Sequence, residues 1–243
     1  MKTLILNPSS LQTGNVIRDA TYGCWCKGKR IGGASTPPLP LLQIATVLSR
    51  EGHDVRLIDS QAEQISFDQL KDLVKEFQAV IILTSVMTYD EDADILLQLK
   101  SAHPTLITIV YGSQPTFQPE ATLEKKGVDI IIRFEAEHVL RDLLAALDKN
   151  DSSWKDIRGI GFKETDSIIV RQPYPFIENL DELPFVRWEF LPKEAKYFNP
   201  LIKRYPYVTM LTSRGCAYRC VYCMAPAFYG KRFRFRSIAN VLQ

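Results

Sequence analysis

The sequence predicts an α/β fold built on a doubly wound, five-stranded parallel sheet. Three observations predict it. Short apolar runs alternate with amphipathic stretches through residues 1–150. The run at 79–84, Ala-Val-Ile-Ile-Leu-Thr, is apolar without alternation, as for a strand covered on both faces. The stretches between such runs carry helical spacing and helical end signals. Five βα units in series imply parallel strands.

The elements follow in order. Residues 3–7 form strand one. A helix runs from Pro37 to Gly52, with Leu41, Leu42, Ile44, Ala45, Val47 and Leu48 apolar and Gly52 as its stop. Strand two covers 54–58. Ser66 opens the second helix, and Gln69 three residues on completes a capping box. Leu70, Leu73, Val74 and Phe77 then share one face. Strand three is 79–84. A helix over 90–102 turns Ile95, Leu96 and Leu99 inward, and strands four and five cover 106–111 and 128–133. Val139, Leu140, Leu143, Leu144 and Leu147 stripe the last helix. The expected order is 2-1-3-4-5, a Rossmann/flavodoxin-like sheet that binds ligands beyond its carboxyl ends, where strand order reverses. The ligand-facing loops are then 7–10, 84–88, 111–116 and 133–137. No G-x-G-x-x-G follows strand one and no G-x-x-x-x-G-K-[ST] occurs, so dinucleotide and triphosphate sites find no support. The hydroxyls of Ser85, Thr88, Ser113 and Thr116 beside Gly112 suit a large, amide-rich ligand lying across the sheet edge.

Beyond the sheet, residues 151–206 read as a hairpin insert and an extended linker. Residues 159–163 and 167–171 pair across a turn, Trp154 serves packing, and Pro173, Pro175, Pro184, Pro192 and Pro200 keep 173–206 out of helix. Cys24-Trp25-Cys26 lies in a long glycine-containing loop, 8–36, that reads as two free thiols in a segment able to cover the ligand edge. The run 231–236, Lys-Arg-Phe-Arg-Phe-Arg, reads as a solvated edge rather than a nucleic-acid contact, since net charge is only +2. Ser237 caps a following helix. No apolar run reaches the roughly 20 residues of a membrane span. Five cysteines, an odd number with three in a metal pattern, point to a reducing cytoplasm.

That pattern is Cys216, Cys220 and Cys223, spaced C-x3-C-x2-C after the apolar run 207–212, which reads as a buried strand. Three nearby thiolates suit three corners of a [4Fe-4S] cluster and leave one iron open to a non-protein ligand. Zinc normally needs a fourth ligand, and no His or Cys follows. Three unconnected structural cysteines remain the bland reading. The motif resembles the radical S-adenosylmethionine (SAM) superfamily, and Tyr222 stands where that resemblance places an aromatic beside the adenine of SAM. It implies a (β/α) barrel beginning at 207–243 and an electron donor such as flavodoxin or ferredoxin. It also implies one-electron cleavage of SAM to methionine and a 5′-deoxyadenosyl radical.

The whole chain resembles the cobalamin (B12)-binding radical SAM family. The likeness rests on Pro37-Pro38-Leu39, on Arg50-Glu51-Gly52-His53-Asp54-Val55, and on Thr84-Ser85. It rests further on Tyr111-Gly112-Ser113-Gln114-Pro115-Thr116, on the stretch from Gly127 to Glu137, and on Leu180-Asp181-Glu182-Leu183-Pro184-Phe185. It implies a cobalamin-binding domain over 1–150, a linker over 151–206 and the start of the barrel over 207–243. Cobalamin contacts are then expected from Ser9, Thr84, Ser85, Val86, Gly112, Ser113, Gln114, Phe134 and Glu135. Gln114 replaces the family's common His, and Phe134 and Ala136 replace two glycines, so the pocket is narrowed or re-aimed. No D-x-H-x-x-G occurs, which implies base-off cobalamin without a histidine on cobalt. The implied activity is methyl transfer to an unactivated carbon of a small-molecule or peptide substrate. Radical oxidation or cyclisation without methyl transfer, and a non-catalytic cobalamin-binding module, are the alternatives. No side chain is assigned as catalytic. Further contacts to SAM are expected beyond Gln243, as for the N-terminal part of a longer enzyme.

Overall fold

The structure, a computed structural model, describes residues 1–11, 16–18, 26–27, 34–165, 167–193, 195 and 197–243. Its strands are β1 (Lys2–Asn7), β2 (Val16–Ile17), β3 (Cys26–Lys27), β4 (Asp54–Asp59), β5 (Ala79–Thr84), β6 (Ile107–Gly112), β7 (Ile130–Ile132), β8 (Ile160–Glu164), β9 (Ser167–Val170), β10 (Ser213–Arg214) and β11 (Arg234–Phe235). Its helices are α1 (Leu39–Arg50), α2 (Ser60–Glu63), α3 (Phe67–Leu73), α4 (Tyr89–Ala102), α5 (Ser113–Phe117), α6 (Pro119–Glu124), α7 (Glu137–Asp148), α8 (Ala225–Tyr229) and α9 (Ile238–Val241).

The central sheet runs β4-β1-β5-β6-β7-β8-β9. Its first five strands are parallel and take the expected order 2-1-3-4-5. Alternating side chains explain why it is covered twice. Ile5 of β1 faces the layer holding α1 and α7, while Leu4 and Leu6 face the layer holding α3 and α4. All six residues of β5 are buried. Ser66 accepts from the Gln69 N–H and Gln69 accepts from the Ser66 N–H, so the capping box is present. Gly52 ends the α1 turn at φ +87°, in the left-handed region.

Three expectations are corrected. First, the sheet has seven strands rather than five. The hairpin expected as a separate insert adds β8 antiparallel to β7 and β9 antiparallel to β8. The cause is burial: Ile160 and Phe162 fill the core next to β7, and Trp154 lies edge-on against the Phe162 ring at 4.9 Å. Strand five is correspondingly short. Second, 207–212 forms no strand. It is extended and half exposed, because among the described residues no neighbouring strand satisfies its ladder. Third, 231–236 is a solvated edge only in part: Lys231, Arg232, Phe233 and Phe235 are exposed, but Arg234 and Arg236 are buried. β11 pairs antiparallel with β10, and strand alternation turns Arg234 and Arg236 inward while Phe233 and Phe235 face out.

The linker is extended except for short 3-10 turns at Leu180–Glu182 and Trp188–Phe190. It lies on α1. Ile177, Leu180 and Leu183 pack with Val47, the Gln43 amide donates to the Pro184 carbonyl at 3.0 Å, and the Arg187 N–H donates to Thr46 at 2.9 Å. This path delivers 207–243 to the carboxyl edge of the sheet. There Ser237 caps α9 by accepting from the Asn240 N–H at 3.1 Å. Cys24 and the side chain of Cys26 lie outside the described residues.

Candidate functional site

Where β1 and β5 adjoin, strand order reverses, and the site begins there with a buried charge. The Asp92 side chain, fully buried in the first turn of α4, accepts from Thr84 Oγ1 at 2.6 Å and Thr88 Oγ1 at 2.8 Å. Arg18 completes the group: Nη2 meets Asp92 Oδ1 at 2.6 Å and Nη1 donates to the Pro8 carbonyl at 2.8 Å. Ser85 Oγ lies 3.1 Å from Thr88 Oγ1. Thr84 and Ser85, expected as ligand contacts, therefore sit in an internal network. Beside them Asn7 Nδ2 and Tyr197 Oη donate to Asp59 at 2.9 and 3.0 Å. Burial raises the Asp59 carboxyl above its usual range, and the hydrogen bonds from Ala62, Tyr197 and Asn7 only partly offset it.

Next to this network a cavity of about 340 Å³ opens. Gly112 and Ser113 border it from the β6–α5 junction, 134–137 from the loop entering α7, 210–215 from the approach to the cysteines, and Phe228 and Tyr229 from α8. Gly112 is required here. At φ +124° its backbone passes so close to β5 that a Cβ would collide with the Thr84 carbonyl oxygen. Phe134 holds φ +63°, a left-handed position for a bulky residue, with its N–H donating to Thr116 Oγ1 at 2.9 Å. Its ring meets Phe176 edge-on at 5.8 Å. Of the expected corrin contacts, Gly112, Ser113, Phe134 and Glu135 border the cavity. The Gln114 amide turns to Gln118 at 3.3 Å, the Val86 N–H donates to Ser113 Oγ at 3.2 Å, and Ser9 lies half-buried on the loop after β1.

The cysteine loop leaves β10 at the same cavity. Gly215 holds φ +91°, where a Cβ would strike the Arg232 carbonyl. The Cys216 N–H donates to the Gly230 carbonyl and the Cys223 N–H to the Cys220 carbonyl, both at 3.2 Å. All three cysteines are free thiols. Cys216 is half-buried, and Cys220 and Cys223 are exposed. Tyr222 is exposed, and a hydrogen bond to Cys220 pushes its hydroxyl up. Among the described residues no three metal-ligating side chains are gathered. The donor set nonetheless fits a cluster, since three unpaired thiols share one short loop and no disulfide competes for them.

Glu137, Arg214 and Arg234, which sequence reasoning missed, join the two halves together with Glu135, which it had named. Arg234 forks onto Glu135 at 2.8 and 2.9 Å. Arg214 reaches Glu135 at 3.2 Å and also pairs with Glu137. Burial works to raise the Glu137 carboxyl, but the charge and hydrogen bond of Arg214 outweigh it and hold it below its usual range. The one available signal was the position of Arg214, directly before Gly215-Cys216. Arg18 and Asp92 carried none, because a buried charge breaks the apolar periodicity that marks a core.

Comparison with known proteins agrees with this architecture. Residues 32–144 match a family model described as a B12 binding domain. An uncharacterized methyltransferase of Pyrococcus horikoshii is 33% identical over 218 residues, covering 88% of this chain and 46% of the relative. The anaerobic magnesium-protoporphyrin IX monomethyl ester cyclase of Synechocystis is 30% identical over 247 residues, covering 97% and 44%. The chain thus spans less than half the length of these relatives. The solved radical SAM methyltransferase TsrM of Kitasatospora setae shares the fold at a TM-score of 0.68 and 19% identity, covering 99% of this chain and 44% of that one. By its B12-binding match, its relatives and its fold, this chain is similar to cobalamin-binding radical SAM enzymes.

Proposed function

We propose that this chain supports cobalamin-dependent radical SAM chemistry, with methyl transfer to an unactivated carbon as the reaction. The observation that carries the reading is the shared cavity. The backbone leading into the cysteine loop, through Gly215, and the carboxyl-edge residues Gly112 and Phe134 border one space. Cys216, Cys220 and Cys223 would hold a [4Fe-4S] cluster, and Tyr222 would lie against SAM. Gly112, Ser113 and Phe134 would bear the corrin, with Ser9, Thr84, Ser85, Val86, Gln114 and Glu135 around them. When bound, the cluster supplies reductive cleavage of SAM and cobalamin supplies a methyl carrier. The chain's own residues position and enclose. Gly112 lets a flat ring approach the backbone, and Leu83, Tyr111, Met210 and Phe228 give the space between the two groups largely apolar walls.

A methyl-free radical cyclisation is the second reading, favoured by the likeness to the Synechocystis cyclase. We assign 1–150 with the β8–β9 hairpin to cobalamin, the rest of 151–206 to the linker and 207–243 to the radical SAM part. An electron donor of flavodoxin or ferredoxin type, a small-molecule or peptide substrate and a cytoplasmic setting complete the proposal. The test is anaerobic reconstitution with iron, sulfide and hydroxocobalamin. A visible cluster band should appear and should be lost when Cys216, Cys220 and Cys223 become Ala. Cobalamin should be retained, and its cobalt(II) paramagnetic spectrum should lack nitrogen hyperfine splitting. Zinc or no metal at the three cysteines refutes the reading.

A further inference from the structure

A buried cluster of four charges lies between the two parts that the proposed function brings together. The side chains of Glu135, Glu137, Arg214 and Arg234 are 3%, 6%, 10% and 4% exposed. Arg214 and Arg234 stand directly opposite each other in the β10–β11 ladder. Two like charges so placed repel, and carboxylates lying against both offset that repulsion. Glu135 supplies the first. Its Oε1 takes Arg214 at 3.2 Å and Arg234 at 2.9 Å, while its Oε2 takes Arg234 and the Ile177 N–H, both at 2.8 Å. Glu137 supplies the second, on Arg214. Nη1 and Nη2 of Arg234 also donate to the Ile177 and Tyr229 carbonyls, both at 2.7 Å. Both glutamates follow Phe134, whose left-handed backbone turns the chain between β7 and α7. Strain of that kind persists where the surroundings over-determine it.

Resting on the functional reading above, we infer that Glu135, Glu137, Arg214 and Arg234 are a positioning tie. They set where the Cys216–Cys223 loop stands relative to the corrin-facing edge at Gly112 and Phe134. Arg214 is separated from Cys216 by Gly215 alone, so moving Arg214 moves the first thiol. The tie itself is made among the four side chains, three of which (Glu135, Glu137 and Arg214) border the cavity. They act through the loops that carry them, and their charges balance two against two.

The test uses Arg214→Met/Glu137→Gln, which removes one charge of each sign and leaves the neutral Glu135–Arg234 fork in place. In the metal-free chain, a maleimide pulse read by mass spectrometry should label Cys216 about tenfold faster than in the wild type, as for an easier local opening. Labelling of Cys220 and Cys223 should stay unchanged. An unchanged Cys216 rate overturns the tie. Should the double variant fail to fold by circular dichroism, Glu137→Gln alone, which keeps Arg214 on Glu135, takes its place under the same criterion. After reconstitution, the double variant should load cluster and cobalamin at wild-type stoichiometry. The relaxation of the cobalt(II) signal by the reduced cluster should nevertheless differ, because the distance between them is no longer held. A merely structural role would lower both loadings instead. Full loading with wild-type relaxation overturns the proposal. A wild type that takes up neither group refutes the functional reading, and the Cys216 labelling rates then decide the tie by themselves.

Discussion

At the residue scale, two side-chain choices set measurable limits. Gly112 lies against the Thr84 carbonyl at φ +124°, so any Cβ meets backbone that cannot yield without parting β5 from β6. Gly112→Ala is expected to lower stability by about 2–3 kcal/mol, the scale of a strained left-handed residue with a clash. The urea midpoint measures it, and a wild-type midpoint would show that the strand shifts freely. Glu137 gives a pH dependence of fixed sign. Its folded carboxyl is held below the ordinary value of 4.5. Its share of stability is therefore complete above that value and is lost as pH falls through the folded one. Asp59, raised by burial, works in the opposite sense. Stability measured against pH should thus fall less steeply below 4.5 in Glu137→Gln than in the wild type. Equal slopes would mean that Arg214 does not hold the carboxylate.

At the element scale, the β8–β9 hairpin shows how tertiary burial overrides an extended segment's apparent independence. Phe162 is paired with Ile130, covered by Trp154 and 1% exposed. Phe162→Ala should cost about 3–5 kcal/mol, as for an aromatic removed from a closed core. A loss below about 1 kcal/mol, the scale of a surface position, would place the hairpin outside the core. The parallel strands, the α1 stop at Gly52 and the Ser66–Gln69 box were legible because each has a local cause: unbroken apolarity, a left-handed stop, a reciprocal cap. The hairpin's pairing was not, since the partner of β8 is β7 and nothing near 160 names it. Residues 231–236 misled for a related reason. Alternation was visible, but which face is inner depends on Glu135, 99 residues away. The three cysteines were legible from spacing alone, whereas the ion pairs that place them join residues 77 to 99 positions apart.

At the scale of the whole molecule, a buried sheet meets an exposed tip. The linker is fixed to α1, and Arg236 ties the last segment back to the Leu183 carbonyl at 3.0 Å, so 207–243 is anchored on both sides of the cysteine loop. The loop itself projects: Tyr218 is 70% and Tyr222 89% exposed, and 215–224 forms neither strand nor helix. An exposed, unpaired tip on a well-anchored base is where a protease cuts first. Chymotrypsin should therefore cleave the metal-free chain after Tyr218 and Tyr222, read as fragment masses. Ligation of three thiols to one cluster would constrain 216–223 into a single closed turn and raise the energy of local opening. Cleavage at both tyrosines should then slow by at least about tenfold after anaerobic cluster assembly, because it proceeds through the opened form. The variant with all three cysteines replaced by Ala should be cut at the metal-free rate whether or not iron and sulfide are supplied. Protection that persists in that variant would place the iron elsewhere. Equal cleavage of the loaded wild type would mean that the thiols do not close around a common centre.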